Sequence, residues 1–284
     1  MNASTTAANQ PPAYFDRMID AFHAGHTGRH AHLGHWDVGD DGFTGSLVTD
    51  FAAAQRRLNS ELIGMANPTN ESRVLDVACG FGGLVQQLDD TLTDCELHGV
   101  NIDDRQLDIC QQLRSNNGNT LRWQAADACD LPFSDAMFDT VFCIEAMFHF
   151  QSRQQFLAEA KRVLKTGGML AVTDFALTAP AAAPAFCLEA VLADGYGPWP
   201  DPWCRDGSAL ELIEGLNGGA WLNVRHIDAT VNTYPSYEHV VSERCSIDID
   251  PGDPAVRSSL LLQWLHVNGH LRYDYIAATA GDRS

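Results

Sequence analysis

The chain has 284 residues, and 37 Asp and Glu against 18 Lys and Arg give it a formal net charge of −19. This length suits one large domain or two small ones with a sizeable core. The acidic balance argues against nucleic acid and anionic membranes as partners, and the 45% hydrophobic content argues against a disordered chain. We therefore expect a soluble globular protein.

The first twelve residues and the cysteines bear on the compartment. Segment 1–12 lacks the basic and apolar regions of a secretory signal, so we interpret it as a loose tail. The eight cysteines form no Cys-x-x-Cys pair, and in a chain of this length we expect reduced thiols. These features predict a cytoplasmic protein.

The predicted elements alternate between helix and strand along most of the chain. An amphipathic helix at 46–66, a strand at 73–77, a Gly-rich turn, a helix at 84–90 and a strand at 96–102 open the series. The later helices are predicted at 104–116, 153–164 and 208–216, and the later strands at 121–125, 140–145, 169–175, 221–229 and 271–279. This alternation predicts an α/β fold with a doubly wound, Rossmann-like parallel sheet of seven strands.

Three regions follow from this order. Residues 1–45 would form an N-terminal lid, 46–177 a Rossmann-like core, and 178–284 the remaining strands with two cap insertions at 178–205 and 234–270. We expect the insertions to cover the carboxyl ends of the strands, where ligands bind in open α/β sheets. The apolar stretch 260–265 supplies either a pocket wall or a contact in a homo-oligomer.

The turn after the first strand reads VLDVACGFGG at 74–83. Glycines at a strand-to-helix turn let a ligand approach backbone N–H groups. The turn is neither a dinucleotide GxGxxG nor a phosphate-binding loop with Gly-Lys-Ser/Thr. Its acidic residue suits a cationic ligand group, and a purely structural turn is the alternative.

This turn is one of five segments that occur in a characteristic order. The others are HLGHW at 32–36, GVNIDDRQL at 99–107, AADACDLPFSDAMFD at 125–139 and EAKRVLKTGGMLAVTDF at 159–175. Together they resemble the class I S-adenosylmethionine-dependent methyltransferases, in the branch that holds sugar O-methyltransferases, tocopherol methyltransferases and cyclopropane synthases. The resemblance, over about 14–175, implies S-adenosyl-L-methionine as cofactor and a small-molecule acceptor as substrate.

The resemblance also implies roles for the residues of the Gly-rich turn. Asp76 and Gly80 would hold the methionine ammonium, and Gly82 would let the backbone pass the cofactor. Ala78 stands where most relatives have glycine, and its methyl group is tolerated if its φ is negative. The upstream segment HLGHW would close over the cofactor, and its residues His32, Leu33 and Gly34 would contact it.

Further cofactor contacts are implied beyond the second and third strands. Asn101, Ile102 and Gln106 would bind around the ribose, Asp127 and Ala128 would read the adenine edge, and Glu145 would also lie beside the cofactor. For Asn101, Gln106 and Asp127 the alternative is a polar residue that only caps a loop.

The candidate catalytic residues are Glu145, His149 and Asp174. Methyl transfer from a sulfonium is an in-line displacement, and a hydroxyl nucleophile benefits from a base. His149 is either that base or a helix cap, and Asp174 would orient it. Glu145 is either structural or, as in relatives that methylate prenyl diphosphates on carbon, a group that removes a proton.

These residues favour O-methylation of a hydroxylated natural product. The rival is C-methylation of an isoprenoid or another electron-rich carbon, where a diphosphate would need Mg²⁺. A cofactor-binding scaffold without catalysis is the non-enzyme alternative, because Phe148 replaces the first of two adjacent histidines found in sugar O-methylating relatives.

Three further features have open interpretations. Five histidines lie between 23 and 35, but this segment contains no cysteine, and we predict no metal site. Trp199 and Trp203 either pack into the core of the cap or line an apolar acceptor pocket. Tyr14 and Phe15 either join the lid or pack on the surface.

Overall fold

In the computed structural model, the residues described are 12, 14–38, 50–178, 185–215, 220–245 and 252–282. Seven strands form one sheet in the order β3-β2-β1-β4-β5-β7-β6. The strands are β1 (Arg73–Val77), β2 (Glu96–Asn101), β3 (Thr120–Ala125), β4 (Phe138–Cys143), β5 (Leu164–Leu177), β6 (Trp221–Asp228) and β7 (Leu271–Ala280). The predicted seven-stranded α/β fold is confirmed.

The sheet is mixed, whereas the alternation of elements predicted a parallel one. Strands β1 to β5 pair in parallel. Strand β7 runs antiparallel to both of its neighbours, β5 and β6. The long β5–β7 ladder, from Met169 opposite Thr279 to Leu177 opposite Leu271, extends the sheet beyond the first βα units.

Ten helices accompany the sheet in the described ranges. They are α1 (Tyr14–His23), α2 (Phe51–Ala66), α3 (Gly83–Asp89), α4 (Asp104–Cys110), α5 (Arg153–Val163), α6 (Ala185–Tyr196), α7 (Ala209–Gly215), α8 (Thr230–Thr233), α9 (Ser236–Cys245) and α10 (Pro254–Val267). Asp50 caps α2 by accepting a hydrogen bond from the Ala52 N–H at 3.0 Å, so this helix begins at Phe51. The first predicted residues of that helix, 46–49, lie outside the described residues.

Helix α4 ends six residues earlier than predicted, at Cys110. The segment that follows is rich in Ser and Asn, whose side chains compete with helical hydrogen bonds. Ser115 Oγ donates to Asp89 Oδ1 at 2.5 Å, and Asn119 Nδ2 donates to the same oxygen at 2.8 Å. These bonds tie the segment to the end of α3.

The core lies on both faces of the sheet. Neighbouring strand residues point to opposite faces: Val74 packs with α2 and α3, whereas Leu75 packs with α5. Because helices cover both faces, the central strands bury apolar side chains on each face, such as Val74 and Leu75 of β1 and Phe142 and Val141 of β4. Helices α6, α9 and α10 lie outside this framework, and α10 packs against the other two. In the described ranges, no helix is both long and apolar enough to cross a membrane.

Candidate active site

A cavity of about 430 Å³ lies at the carboxyl ends of β1, β2 and β4. In a parallel sheet these ends meet at one edge, which is where ligands bind. Eleven residues predicted for the site line it: His32, Asp76, Ala78, Gly80, Asn101, Ile102, Gln106, Asp127, Ala128, Glu145 and His149. The structure therefore brings together residues that are more than 100 positions apart in the sequence.

Asp76, near the end of β1, is a buried carboxylate at the edge of this cavity. Among the described residues no group donates a hydrogen bond to its side chain or forms an ion pair with it. Burial raises the pKa of Asp76 to about 8. A buried carboxylate is costly unless it is paired, so this position suits a cationic group of a ligand.

Asn101 and Gln106 form a buried amide pair at the end of β2. Asn101 Nδ2 donates to Gln106 Oε1 at 3.1 Å, and Asn101 Oδ1 accepts from the Ile102 N–H at 2.7 Å. Gln106 Nε2 is buried and has no hydrogen-bond partner in the described part of the chain. A buried donor of this kind needs an acceptor, so the cavity fits a ligand with oxygen atoms near Gln106.

Asp127 follows β3 and combines the two roles considered for it. Its side chain lines the cavity, and its Oδ1 accepts a hydrogen bond from the Cys129 N–H at 2.8 Å. The same carboxylate therefore stabilises its own loop and faces the ligand space.

The Gly-rich turn contains two residues with positive φ that line the cavity. Gly80 has a φ of +53°, and a Cβ there would meet only the Ala31 Cβ, at 3.9 Å. Ala78 has a φ of +61°, so the condition given for tolerating its methyl group, a negative φ, is not met. A left-handed alanine carries backbone strain, and the turn holds this strain beside the ligand space.

Gly82 and Gly34 do not line this cavity. A Cβ on Gly82 would lie 3.0 Å from the side chains of Leu113 and Trp123, and one on Gly34 would lie 2.5 Å from the Ala54 Cβ. Both glycines therefore allow close packing inside the protein. The cofactor contacts predicted for them stay predictions.

The segment at 30–34 is held between α2 and Glu145. Gln55 Nε2 donates to the carbonyl oxygens of His30 and His32, at 3.1 and 2.7 Å. The Leu33 N–H donates to Glu145 Oε2 at 2.9 Å. These bonds hold the backbone of the segment in place, and its His30 and His32 line the cavity.

Glu145 lies just beyond β4 in a left-handed conformation, with a φ of +53°. Its N–H donates to Thr173 Oγ1 at 2.7 Å, and the Tyr273 hydroxyl donates to its Oε2 at 2.6 Å. Burial raises the pKa of Glu145 to about 7, although the bonds from Tyr273 and Leu33 oppose this shift. A carboxylate with this pKa can accept a proton at neutral pH.

A second cavity, of about 400 Å³, adjoins the first. Tyr14, His32, Glu145 and His149 line both cavities and so mark their junction. The walls of the second cavity are largely aromatic: Phe148, Phe175, Tyr196, Trp199 and Tyr237. Of the two tryptophans considered, Trp199 lines this cavity, whereas Trp203 is buried and lines neither.

His149 lies at the junction in a 3₁₀ turn, Met147–His149. Its Nδ1 is 3.3 Å from the Pro198 carbonyl oxygen, and its Nε2 is 3.3 Å from the Tyr14 hydroxyl. Because a carbonyl oxygen only accepts, this contact assigns the proton to Nδ1 and a lone pair to Nε2. Burial lowers the pKa of His149 to about 4, so the ring is neutral at pH 7.

Asp174 does not orient His149, which corrects the prediction for this residue. Arg153 binds it instead, with Nε 2.7 Å from Asp174 Oδ2 and Nη2 3.2 Å from Oδ1. Both side chains are buried, and neither lines either cavity. A buried carboxylate needs a charged partner, and α5 supplies one that sequence spacing did not reveal.

The histidines of the N-terminal segment are separated in space. The rings of His30 and His32 lie 5.5 Å apart near the first cavity, whereas His35 Nδ1 lies 3.1 Å from the Tyr275 hydroxyl. In the ranges that the structure describes, no group of three His, Cys, Asp or Glu side chains is arranged to hold a metal ion.

Residues 75–172 match the sequence profile of a methyltransferase domain family. The matched segment runs from β1 into β5 and includes the Gly-rich turn. This chain is 33% identical over 150 residues to the O-methyltransferase rstn1 of Aspergillus nomiae. That match covers 52% of this chain and 64% of the relative. The chain is 32% identical over 152 residues to the 27-O-demethylrifamycin SV methyltransferase of Amycolatopsis mediterranei, with 53% of each chain covered.

Structural similarity extends over more of the chain than sequence similarity does. The crystal structure of geranyl diphosphate C-methyltransferase from Streptomyces coelicolor, with Mg²⁺, geranyl diphosphate and S-adenosyl-L-homocysteine, has a TM-score of 0.66 at 17% identity. The match covers 95% of this chain and all of that one. The similarity in fold thus extends to β6 and β7. By sequence, the chain spans about two thirds of one of the two relatives and about half of the other.

Several site residues lie outside the motifs used for prediction. Tyr273 of β7 and Tyr237 of α9 follow the matched methyltransferase segment. Tyr273 bonds a residue 128 positions away, a distance that helix and strand periodicity cannot reveal. Tyr237 and Trp199 are aromatic residues in the cap regions, and their aromatic character is the only sequence signal for an apolar wall.

Proposed function

We propose that this chain transfers a methyl group from S-adenosyl-L-methionine to a hydroxyl group of a small, hydroxylated natural product. The observation that carries this proposal is the pair of unpartnered buried groups in the first cavity, the Asp76 carboxylate and Gln106 Nε2. One suits the ammonium of the cofactor and the other a hydroxyl of its ribose. The names of the relatives, which include O-methyltransferases, support the same activity.

The residues at hand fit the proposed cofactor. Asp76 would pair with the ammonium, Asn101 and Gln106 would bind the ribose, and Asp127 with Ala128 would face the adenine. Ile102, which is 38% exposed beside the cavity, offers an apolar surface to the adenine ring. When bound, the cofactor supplies an electrophilic methyl group on a sulfonium.

The chain itself would position the acceptor and take up its proton. Glu145 and His149 both lie at the junction of the cavities, so each could accept the hydroxyl proton as the oxygen–methyl bond forms and the sulfur–methyl bond breaks, which would leave S-adenosyl-L-homocysteine. The proton ends on a Glu145 carboxylate oxygen or on His149 Nε2. The aromatic walls of the second cavity exclude water, which would otherwise compete and weaken these interactions.

C-methylation of an electron-rich carbon is the second candidate, because Glu145 can equally remove a proton from a methylated carbon intermediate. A diphosphate acceptor is disfavoured by the charges around the second cavity. Arg17 is the one Arg or Lys among its described lining residues, and Asp253 already binds it, with Nη1 2.7 Å from Oδ1 and 2.8 Å from Oδ2.

Calorimetric titration with S-adenosyl-L-methionine and S-adenosyl-L-homocysteine tests the cofactor. Mass-spectrometric detection of methylated products from a panel of phenols, alcohols and prenyl diphosphates tests the reaction. Failure of both cofactor forms to bind would refute the proposal. Binding without turnover on any acceptor would favour the scaffold alternative, and a carbon-methylated product would favour the second candidate.

The remaining features complete the proposal. The N-terminal region 1–45 would act as a lid, 46–177 as the cofactor-binding core and 178–284 as the remaining core with its cap. We propose a cytoplasmic setting without nucleic-acid or membrane partners. Hydrodynamic measurement distinguishes a monomer from a homo-oligomer. The six cysteines whose side chains the structure describes are free thiols, which suits a reducing compartment.

A further inference from the structure

Two buried hydrogen-bond donors of the second cavity have no partner among the described residues: the Tyr237 hydroxyl and Trp199 Nε1. The two side chains are only 2% and 7% exposed, and both line this cavity. Burying a polar group without a partner is unfavourable, and most buried donors in proteins are paired. In the wall of a ligand cavity, the missing partners are expected to come from the ligand.

The other residues of the cavity wall indicate the polarity and charge of that ligand. Phe148, Phe175, Val256 and Leu262 present apolar surface to it. The charge of Arg17 is already neutralised by Asp253, so the wall offers no unpaired cation among its described residues. Such a cavity favours an uncharged ligand with a large apolar surface.

The donors also have a defined place relative to the proposed reaction. Tyr237 and Trp199 line only the second cavity, whereas Glu145 and His149 line both. The reacting hydroxyl belongs at the junction, so the two donors contact another part of the acceptor. A carbonyl oxygen suits this place, because it accepts hydrogen bonds without bringing a donor or a charge into an apolar site.

We propose that the acceptor is a neutral, largely apolar compound that carries a carbonyl oxygen in addition to the hydroxyl to be methylated, and that Tyr237 recognises this carbonyl. Trp199 Nε1 supplies a second donor. This inference rests on the proposed function, since it takes the second cavity as the acceptor site. It adds a specificity-determining residue and a chemical class of substrate.

Tyr196 provides a matched control within the same cavity. It also lines the second cavity, but its hydroxyl already has a partner, Ser259 Oγ, at 2.5 Å. A Tyr→Phe change at either position removes one hydroxyl group from a residue that lines the cavity, so the two variants lose the same volume. The two changes differ in whether a donor for the ligand is lost.

The test compares two small phenols, 7-hydroxy-1-tetralone and its carbonyl-free analogue tetralin-6-ol, by calorimetry with S-adenosyl-L-homocysteine at saturation. Wild-type protein is expected to bind the ketone about ten-fold more tightly. Tyr237→Phe should reduce that preference to about two-fold, with affinity for the analogue nearly unchanged. Tyr196→Phe should keep the preference.

The outcomes separate this inference from the proposed function. Equal binding of the two phenols by the wild-type protein, absence of binding by both, or an unchanged preference in Tyr237→Phe overturns the inference. The titration with S-adenosyl-L-homocysteine alone is read first, and its failure counts against the proposed function instead. Should Tyr237→Phe fold poorly, the wild-type comparison still decides, and Trp199→Phe tests the second donor.

Discussion

The Tyr273 hydroxyl donates a hydrogen bond of 2.6 Å to Glu145 Oε2. This bond connects the first residues of β7 to the junction of the two cavities. The same hydroxyl lies 3.1 Å from Thr173 Oγ1, and Thr173 also accepts from the Glu145 N–H. Both the side chain and the backbone of Glu145 are therefore held by β5 and β7. A carboxylate that is fixed in this way loses little freedom when it accepts a proton.

If Glu145 is the base, kcat/KM should rise with pH through a midpoint of about 7, because burial raises its pKa to that value in the free protein and the carboxylate is the active form. Glu145→Gln should lower kcat by roughly 100-fold. Tyr273→Phe removes a bond that favours the carboxylate, so the midpoint should move to higher pH. A pH–rate profile of each variant checks this.

Tyr275→Phe serves as the control for that experiment. Tyr275 lies on the same strand, but its hydroxyl contacts His35 Nδ1 at 3.1 Å. Its loss should leave the midpoint in place. If the pH midpoint of kcat/KM is also unchanged in Tyr273→Phe, the hydrogen bond from Tyr273 does not set the pKa of Glu145.

His149 gives a different pH dependence from Glu145. Burial lowers its pKa to about 4, so neutral imidazole is present throughout the neutral range and is lost only as the pH falls through about 4. If His149 is the base, kcat/KM for the acceptor, measured with S-adenosyl-L-methionine at saturation, should be flat near pH 7, and His149→Ala should lower kcat roughly 100-fold. The rise near pH 6.5 expected from an unshifted histidine would not be seen. Calorimetry should show unchanged affinity for S-adenosyl-L-homocysteine.

The proposed pairing of Asp76 with an ammonium group makes cofactor affinity depend on pH. Asp76 has a raised pKa of about 8 in the free protein, and pairing with a cation requires the ionised form. Between pH 6 and 8 the affinity should rise by up to about ten-fold per pH unit, with release of a proton on binding. Titrations in buffers of different ionisation enthalpy measure that proton.

Asp76→Asn provides the complementary variant. It should bind the cofactor weakly and without this pH dependence. It should also be more stable than wild type at neutral pH, because a raised folded-state pKa means that the folded state loses stability as the pH rises from the unfolded value of about 4 towards 8. A lower melting temperature for Asp76→Asn, or a pH-independent wild-type affinity, would contradict the assignment.

The elements that periodicity predicted well are those with regular local signals. Strand β1 and helix α5 follow an apolar pattern that fixes their place in a βα series. The direction of β7 was not predictable in this way, because alternating side chains look the same in a parallel and an antiparallel strand. The partners of Glu145 and Asp174 are contacts between distant segments, for which the sequence carries no local signal.

The Gly-rich turn illustrates the same limit at a single residue. Sequence reasoning placed Asp76 and Gly80 at the cavity but treated Ala78 as acceptable only with negative φ. The structure gives it a φ of +61°, a conformation that costs an alanine about 1–2 kcal/mol. Such strain is retained where the surrounding structure fixes the backbone, and residue type alone does not reveal it.

The ion pair of Arg153 and Asp174 should act on stability rather than on catalysis. Asp174→Asn leaves the Arg153 charge buried without its partner and should lower the free energy of unfolding by about 3–5 kcal/mol, whereas the double variant Arg153→Met/Asp174→Asn should recover most of this loss. Urea denaturation of the two variants measures the difference. In the folded double variant, kcat should stay within a few-fold of wild type, because neither side chain lines a cavity. A stable Asp174→Asn with a large loss of kcat would instead restore Asp174 to the catalytic machinery.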